Sequence, residues 1–418
     1  METKNLTEYD HDTVAVAKMG RTIKFKRVSW KDSAGNNEPA VLISALSKLN
    51  PLNTYIVIGR SDLSKLSNDE YNYLFPNGNV LDAFEGFNKN VNDIEMYPYE
   101  NTSFIDFDYG IIIGGVASRI NMQDKFYKIN KKTKKAEESQ GLISPLNMFH
   151  SYAAPIINFL NITDIPWVFY TSDARQVPIG AYDLINREIL SLGTMNTTYT
   201  SKYFSGEGFN GQNVITDEKE MYYAGGELIS ILDNKIKRYN GEEKTINLGL
   251  FFHKYNDKKR YENILGYINE FEDISVFGKW KEEIESGDKR FKGSLTFDET
   301  QDMMKKTKYT LCYPITDGDI SAKWIEAIRA GVIPFFAPEY DKDKLLSSIW
   351  HVPSFLYLSS REDLKSKINY LNDNEEKYKT IINQLKDIYD FIKNNYPNRI
   401  DFTIKESVKK DERYHVWK

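Results

Sequence analysis

Two carboxylates in this sequence stand where chain geometry would let them do chemistry. Asp173 follows the apolar run Pro166 to Thr171 and lies in the tetrapeptide Ser172-Asp173-Ala174-Arg175. An acid just past the carboxyl end of a parallel strand lies where open α/β sheets bind ligands. Such an acid can be tuned into a general base, and Arg175 would orient it or neutralise an anion. A structural Asp–Arg pair at a strand end fits the same residues. Glu326 lies in the stretch Asp319 to Phe336, where Trp324, Ile325 and Ile328 recur at helical spacing. Ser321 reads as the N-cap, Gly331 as the stop, and Val332 to Phe336 as a short buried strand. A helix start attracts phosphate through its free N–H groups, and a nearby acid can bond both hydroxyls of a ribose. An amphipathic helix with a solvated glutamate is the plainer reading of those residues. Glu38, just before Pro39, suits the first turn of a helix, either as a simple dipole partner or as a substrate contact. The triplet Asp317 to Asp319 has a metal-like look, but its place before a helix predicts a turn and cap.

The elements that must position these residues alternate as strand and helix. TVAVAK (Thr13 to Lys18), YIVIG (Tyr55 to Gly59), the run Phe107 to Val116 and PWVFYT read as strands. A loop from Gly20 to Pro39 and the helix AVLISALSKL separate the first two. Lys125 to Gln140 reads as a hairpin or a loop, and Pro145 to Leu160 as a helix. The polar segment Asn186 to Gly241 reads as the crossing between domains. Strands follow at Thr245, at Ile274 to Gly278 and at Tyr309 to Pro314, with a helix at Asn263 to Glu270 and one capped near Thr296 to Glu299. This alternation, repeated in two halves, predicts two Rossmann-like, doubly wound α/β domains facing each other across a cleft. The expected division is 1–240 with 398–418, and 241–397, the C-terminal helix returning to the first domain.

Composition narrows the class. A chain of 418 residues exceeds the usual single-domain size, and 41% hydrophobic content supplies sizeable cores. One cysteine, Cys312, excludes a disulfide within the chain, and its apolar setting predicts buried filler. The polar, acidic start predicts no leader, and the longest apolar runs are too short to span a bilayer, so a soluble cytoplasmic monomer is expected. The net charge of −5 gives no global reason to expect nucleic acid. Basic residues do cluster at Lys24 to Lys31 and at Lys125 to Lys135, which is a solvated face or a polyanion contact.

The order of motifs resembles the GT-B glycosyltransferases, and within them the phage DNA β-glucosyltransferases that modify 5-hydroxymethylated bases. FYTSDAR resembles the family's strand that ends in an aspartate and arginine, with the aspartate as catalytic base, which lands on Asp173. LGLFFHKYNDKKR resembles the first strand and turn of the nucleotide domain, whose arginines hold the donor's phosphates. Arg260 is the best match, with Lys259 beside it, and VFG ending at Gly278 follows at similar spacing. The stretch around Glu326 resembles the ribose-binding helix, with Lys323 where the family has arginine, and Glu38 falls near an acid close to the sugar. The family's arginine-rich turn is here His253, Lys254, Lys258, Lys259 and Arg260, and the first-domain loop and the Lys125 to Gln140 insertion are longer than its pattern.

The resemblance implies inverting transfer of a sugar, glucose by the family, from a UDP donor to the hydroxyl of a 5-hydroxymethylpyrimidine in double-stranded DNA. Asp173 would be the base, with Glu38, Lys259, Arg260, Gly278, Ser321, Lys323 and Glu326 around the donor. It implies no essential cofactor, with a divalent cation as an optional stimulant, and the host cytoplasm as location if the gene is a phage's. A flipped base would leave space for Phe25, Trp30 or Tyr127 to fill. Three other readings remain: a GT-B transferase on a protein, glycan or small molecule, a sugar-nucleotide epimerase, and a binding module without activity.

Overall fold

The computed structural model describes residues 11–18, 23–26, 34–58, 61–82, 107–113, 127–129, 136–138, 165, 167–170, 189–193, 221–223, 226–232, 238–254, 258–314 and 320–408. The chain divides into two compact units, Met1–Asp233 with Pro397–Lys418, and Asn234–Tyr396. No helix among the described residues is long and apolar enough to cross a membrane.

The first unit is built on β1 (Thr13–Lys18), β2 (Thr54–Ile58), β3 (Val80–Asp82), β4 (Tyr109–Ile113), β5 (Tyr127–Ile129), β6 (Ala136–Glu138), β7 (Trp167–Tyr170), β8 (Ile189–Gly193) and β9 (Met221–Tyr223). Seven of these form one sheet in the order β3-β2-β1-β4-β7-β8-β9. Every neighbouring pair in it is parallel. β1 sits between β2 and β4, so both its edges are paired, and Val14, Ala15 and Val16, which alternate between its two faces, are all fully buried. That explains its run of apolar residues where a half-exposed strand would alternate.

Several expectations change here. The stretch read as a domain crossing, Asn186 to Gly241, contributes two more parallel strands, β8 and β9, and the 3₁₀ turn Gly226–Leu232. Strands of five and three residues among polar neighbours carry too little periodicity to be read. The basic insertion holds the antiparallel pair β5–β6, so the hairpin reading stands for it. The first helix, α1, runs Ala34–Leu49 with Pro39 inside it, so Glu38 lies beyond the first turn and is no helix-start acid. Phe25 is buried edge-on against Phe75 at 5.6 Å between ring centroids, a core contact and not a free wedge.

The second unit repeats the plan with β10 (Ile246–Phe251), β11 (Ser275–Phe277), β12 (Phe291–Gly293), β13 (Thr307–Cys312) and β14 (Ile333–Phe336). Their order is β12-β11-β10-β13-β14, parallel throughout. The order reverses between β10 and β13, which makes that gap the switch point of the sheet. Helices α2 (Lys258–Asn269), α3 (Lys281–Glu285), α4 (Phe297–Lys305) and α5 (Lys323–Arg329) connect the strands. α4 starts at a capping box in which Thr296 and Glu299 satisfy each other's backbone N–H groups, as the sequence predicts. After β14 come Arg361–Asp373 and the long helix Glu375–Val408. The last turns of that helix belong to the first unit, where Asp401 and Lys405 both hydrogen-bond Asn50.

Candidate functional site

The carboxyl ends of β10, β11 and β13 open onto a cavity of about 340 Å³ in the second unit. Phe252 and His253 follow β10, Gly278 follows β11, and Tyr313 follows β13. A doubly wound sheet leaves its crevice at this place because the helices beside the switch point leave on opposite faces.

Glycine at 278 is dictated by that crowding. Its φ is +140°, and a Cβ there would stand 2.2 Å from the Phe252 carbonyl oxygen. Its N–H donates to the Gly293 carbonyl at 2.8 Å, which ties β11 to β12. A side chain at 278 would therefore break both the backbone geometry and the floor of the cavity.

Arg260 lies in the first turn of α2, which begins five residues earlier than the sequence suggests. Only 6% of it is exposed. Its Nε donates to the Pro314 carbonyl at 3.0 Å and its Nη1 to the His253 carbonyl at 3.4 Å. The guanidinium also lies 5.7 Å from the Phe252 ring and 5.8 Å from the Tyr313 ring. Those contacts anchor a permanent positive charge at the cavity wall, linking the turn after β10 to the end of β13.

Glu326 and Lys323 face the same cavity and pair with each other at 2.6 Å. Glu326 is buried and sits in the short helix α5. Ser321 lines the cavity too, but it is not the N-cap of this helix. Ala322 holds that position without a side-chain cap. The backbone of Ser321 is held from afar, its N–H donating to the Tyr340 hydroxyl at 3.0 Å and its carbonyl accepting from that hydroxyl at 2.8 Å.

The basic residues of the turn after β10 separate into different roles. Lys254 pairs with Glu282 and with Glu283, the latter at 2.9 Å, and lies 4.1 Å from the Tyr261 ring. Burial works against its charge, but the hydrogen bonds to Glu282 and Glu283 prevail and raise its pKa. Lys259 is exposed and is not among the residues that line the cavity. His253 lines the cavity mouth, and its Nδ1 accepts the Lys279 N–H at 3.0 Å, so the neutral ring carries its proton on Nε2. Partial burial, then Lys279 and Lys323, lower its pKa below the usual histidine value.

The far wall is apolar and aromatic. Phe251 and Phe277 stack at 5.0 Å with 13° between their planes, and Leu295, just before α4, joins Phe297, Thr300 and Gln301 from that helix. The sequence reading named none of these four, because an amphipathic helix start looks the same whether it faces a core or a ligand. Cys312 is buried, and burial pushes its thiol up, consistent with a filler role. Asp173, Arg175 and the triplet Asp317 to Asp319 lie outside the described residues, as does the side chain of Glu38. Among the described residues no group of three or more His, Cys, Asp or Glu side chains could hold a metal ion.

Residues 252–404, a span that contains most of this cavity wall, match the family model described as glycosyl transferase-like. No curated protein matches the chain. Among solved structures, a point mutant of T4 phage BGT in complex with UDP-glucose is 14% identical with a TM-score of 0.53. That match covers 95% of this chain and 99% of the other. T4 phage BGT in complex with UDP and Mn2+ is 13% identical with the same TM-score of 0.53 and the same coverage, 95% and 99%. A structure described as the DNA modifying enzyme β-glucosyltransferase, with and without uridine diphosphoglucose, is 13% identical with a TM-score of 0.55 over 95% of this chain and 99% of that one. The fold of this chain is therefore GT-B.

Proposed function

We propose that this chain is a hexosyltransferase that moves glucose from UDP-glucose to a hydroxyl with inversion at the anomeric carbon. The observation that carries the reading is the cavity at the switch point of the second sheet, where Arg260, Lys323 and buried Glu326 stand together beside an aromatic wall. Those groups suit the parts of a nucleoside diphosphate. Glu326 takes the ribose hydroxyls, and Lys323 shares its charge between that carboxylate and the diphosphate. Arg260 adds a fixed positive charge as the leaving group gains negative charge. Gly278 lets the backbone come close to the ligand. Lys259, exposed on α2, serves at most as a long-range attraction for the donor.

The acceptor we propose is the hydroxyl of a 5-hydroxymethylated pyrimidine in double-stranded DNA, a reading supported by the likeness to a DNA modifying β-glucosyltransferase. The acceptor oxygen attacks C1 of glucose, the bond from C1 to the β-phosphate oxygen breaks, and UDP leaves with the electron pair. Asp173 takes the proton from the acceptor hydroxyl, Arg175 orients it, and Glu38 contacts the sugar hydroxyls. No essential cofactor is expected, and a divalent cation, if bound, would add positive charge beside the diphosphate. The net charge of −5 favours a second reading, the same transfer to a protein, glycan or small molecule.

The test is mass spectrometry of nucleosides after incubation with UDP-glucose and hydroxymethylated duplex DNA, with and without Mn2+. Glucosylated nucleoside supports the DNA reading, whereas UDP release with other acceptors alone moves the assignment to the second reading. Asp173→Asn should lower the transfer rate by about 10³-fold while UDP binding holds. Full activity in that variant removes Asp173 from the mechanism.

A further inference from the structure

Helix α5 carries Lys323 and Glu326, yet nothing in its own sequence caps its start. Ala322 stands at the N-cap with no side chain able to accept an N–H. The first backbone bond of the helix runs from the Glu326 N–H to the Ala322 carbonyl at 3.1 Å. The direction of that first turn therefore follows the backbone of residues 321 and 322. The other end of the helix is tied by three partners. The Arg329 carbonyl accepts the Tyr239 N–H at 3.0 Å, Arg329 Nη2 donates to Gln301 Oε1 at 2.9 Å, and Lys244 donates to the Ala330 carbonyl at 3.1 Å.

The start is held by one hydroxyl from another element. Tyr340 Oη accepts the Ser321 N–H at 3.0 Å and donates to the Ser321 carbonyl at 2.8 Å. A hydroxyl has one proton and two lone pairs, so it serves both groups at once. It thereby fixes the peptide planes on both sides of residue 321, as a paired strand would. Tyr340 is itself well anchored. It is 1% exposed, and its ring stacks on Phe336 of β14 at 5.4 Å with 9° between the planes. Its own N–H donates to the Ala337 carbonyl at 2.8 Å. The next residue, Asp341, accepts the N–H groups of Leu345 and Leu346 at 2.8 and 3.0 Å, which fixes the chain beyond it. The hydroxyl is thus a fixed point carried by the sheet, and Tyr340 is not among the residues that line the cavity.

We propose that Tyr340 is a positioning residue for the donor site: it sets the first turn of α5 so that Lys323 and Glu326 face the cavity before the nucleotide arrives. This rests on the reading of the cavity as a nucleoside diphosphate site and adds what prepares it. A site ordered beforehand spares the ligand the entropy of ordering it, so loss of the hold weakens binding. The hold lies in the hydroxyl alone, because a phenylalanine ring would stack on Phe336 equally well.

Isothermal titration of the full chain with UDP tests the assignment. Tyr340→Phe keeps the ring and removes both bonds to Ser321, so UDP should bind about tenfold more weakly. Tyr357→Phe is the control for stability alone, since the Tyr357 hydroxyl serves Asp341 Oδ2 and not Ser321. That variant should lower the urea midpoint as Tyr340→Phe does, yet keep UDP affinity within about twofold. In a Lys323→Ala background, Tyr340→Phe should add less than its full factor, because part of what it positions is gone. Amide hydrogen exchange of unliganded wild type asks the question without a variant: the Ser321 and Glu326 amides should be protected before UDP is added. Four results overturn the inference and leave the nucleotide reading standing: unchanged UDP affinity in folded Tyr340→Phe, an equal loss in Tyr357→Phe, a fully multiplicative double variant, or amides protected only once UDP is bound. Failure of wild type to bind UDP overturns both.

Discussion

Two clusters of like composition flank the turn that follows β10, and they have opposite characters. On the outer side Lys254 meets Glu282 and Glu283 and packs on Tyr261. On the cavity side Lys323 pairs with one carboxylate, Glu326, and Arg260 lines the same cavity with its guanidinium bonded to the Pro314 and His253 carbonyls. The outer cluster has more carboxylates than cations, and the inner one has more cations than carboxylates. A diphosphate is drawn to the second alone, since the first has its positive charge already neutralised. Counting basic residues along a turn therefore says little until their partners are known.

The strongest way to break this contrast is to remove the backbone that shapes the inner side. Gly278→Ala forces a Cβ to within 2.2 Å of the Phe252 carbonyl at a φ of +140°. The expected loss is about 3 kcal/mol of stability, from backbone strain and overpacking together. It should appear as a lower urea midpoint, accompanied by lost UDP binding. A midpoint equal to wild type would mean that the β10 turn yields freely and that the cavity is not held as described.

The lysines sharpen the contrast directly. Lys323→Ala should weaken UDP binding about tenfold, the scale of one charge-assisted contact. Lys254→Ala should leave UDP binding within about twofold and cost about 0.5 kcal/mol of stability, because its carboxylate partners are partly solvated. Titration calorimetry on both variants reads the difference. Equal effects on binding would show that both lysines serve the ligand and would erase the distinction between the clusters.

How much of this was legible in the sequence depends on how local each cause is. β1 was read at its observed ends because a doubly covered strand writes its burial as a continuous apolar run. The Thr296–Glu299 cap was legible because its partners are three residues apart. Glu326 was found through its helix, and Gly278 through its strand end. The N-cap assigned to Ser321 failed because a distant hydroxyl, that of Tyr340, holds its backbone instead. Glu38 was misplaced because α1 starts before Pro39 rather than at it. The separation of Lys254 from Arg260 and the orientation of Gln301 by Arg329 lay beyond reach, since each is decided by a partner more than twenty residues away.

His253 gives the smallest expected effect, and it probes the boundary between the two clusters. Partial burial and the charges of Lys279 and Lys323 lower its folded pKa below 6.5. The unfolded chain therefore binds more protons than the folded one between the folded pKa and 6.5. Stability should rise with pH across that window and level off above it. Protonation at Nδ1 would also turn the acceptor of the Lys279 N–H into a donor, removing that hydrogen bond. The residue is buried only in part, so solvent screens much of the effect and a small change is expected. Urea midpoints of wild type and His253→Gln between pH 5 and 8 isolate it, because the carboxylates titrate alike in both. The variant should lose less stability than wild type as pH falls through this window. Parallel losses would show that Lys279 and Lys323 do not act on the histidine beside the cavity.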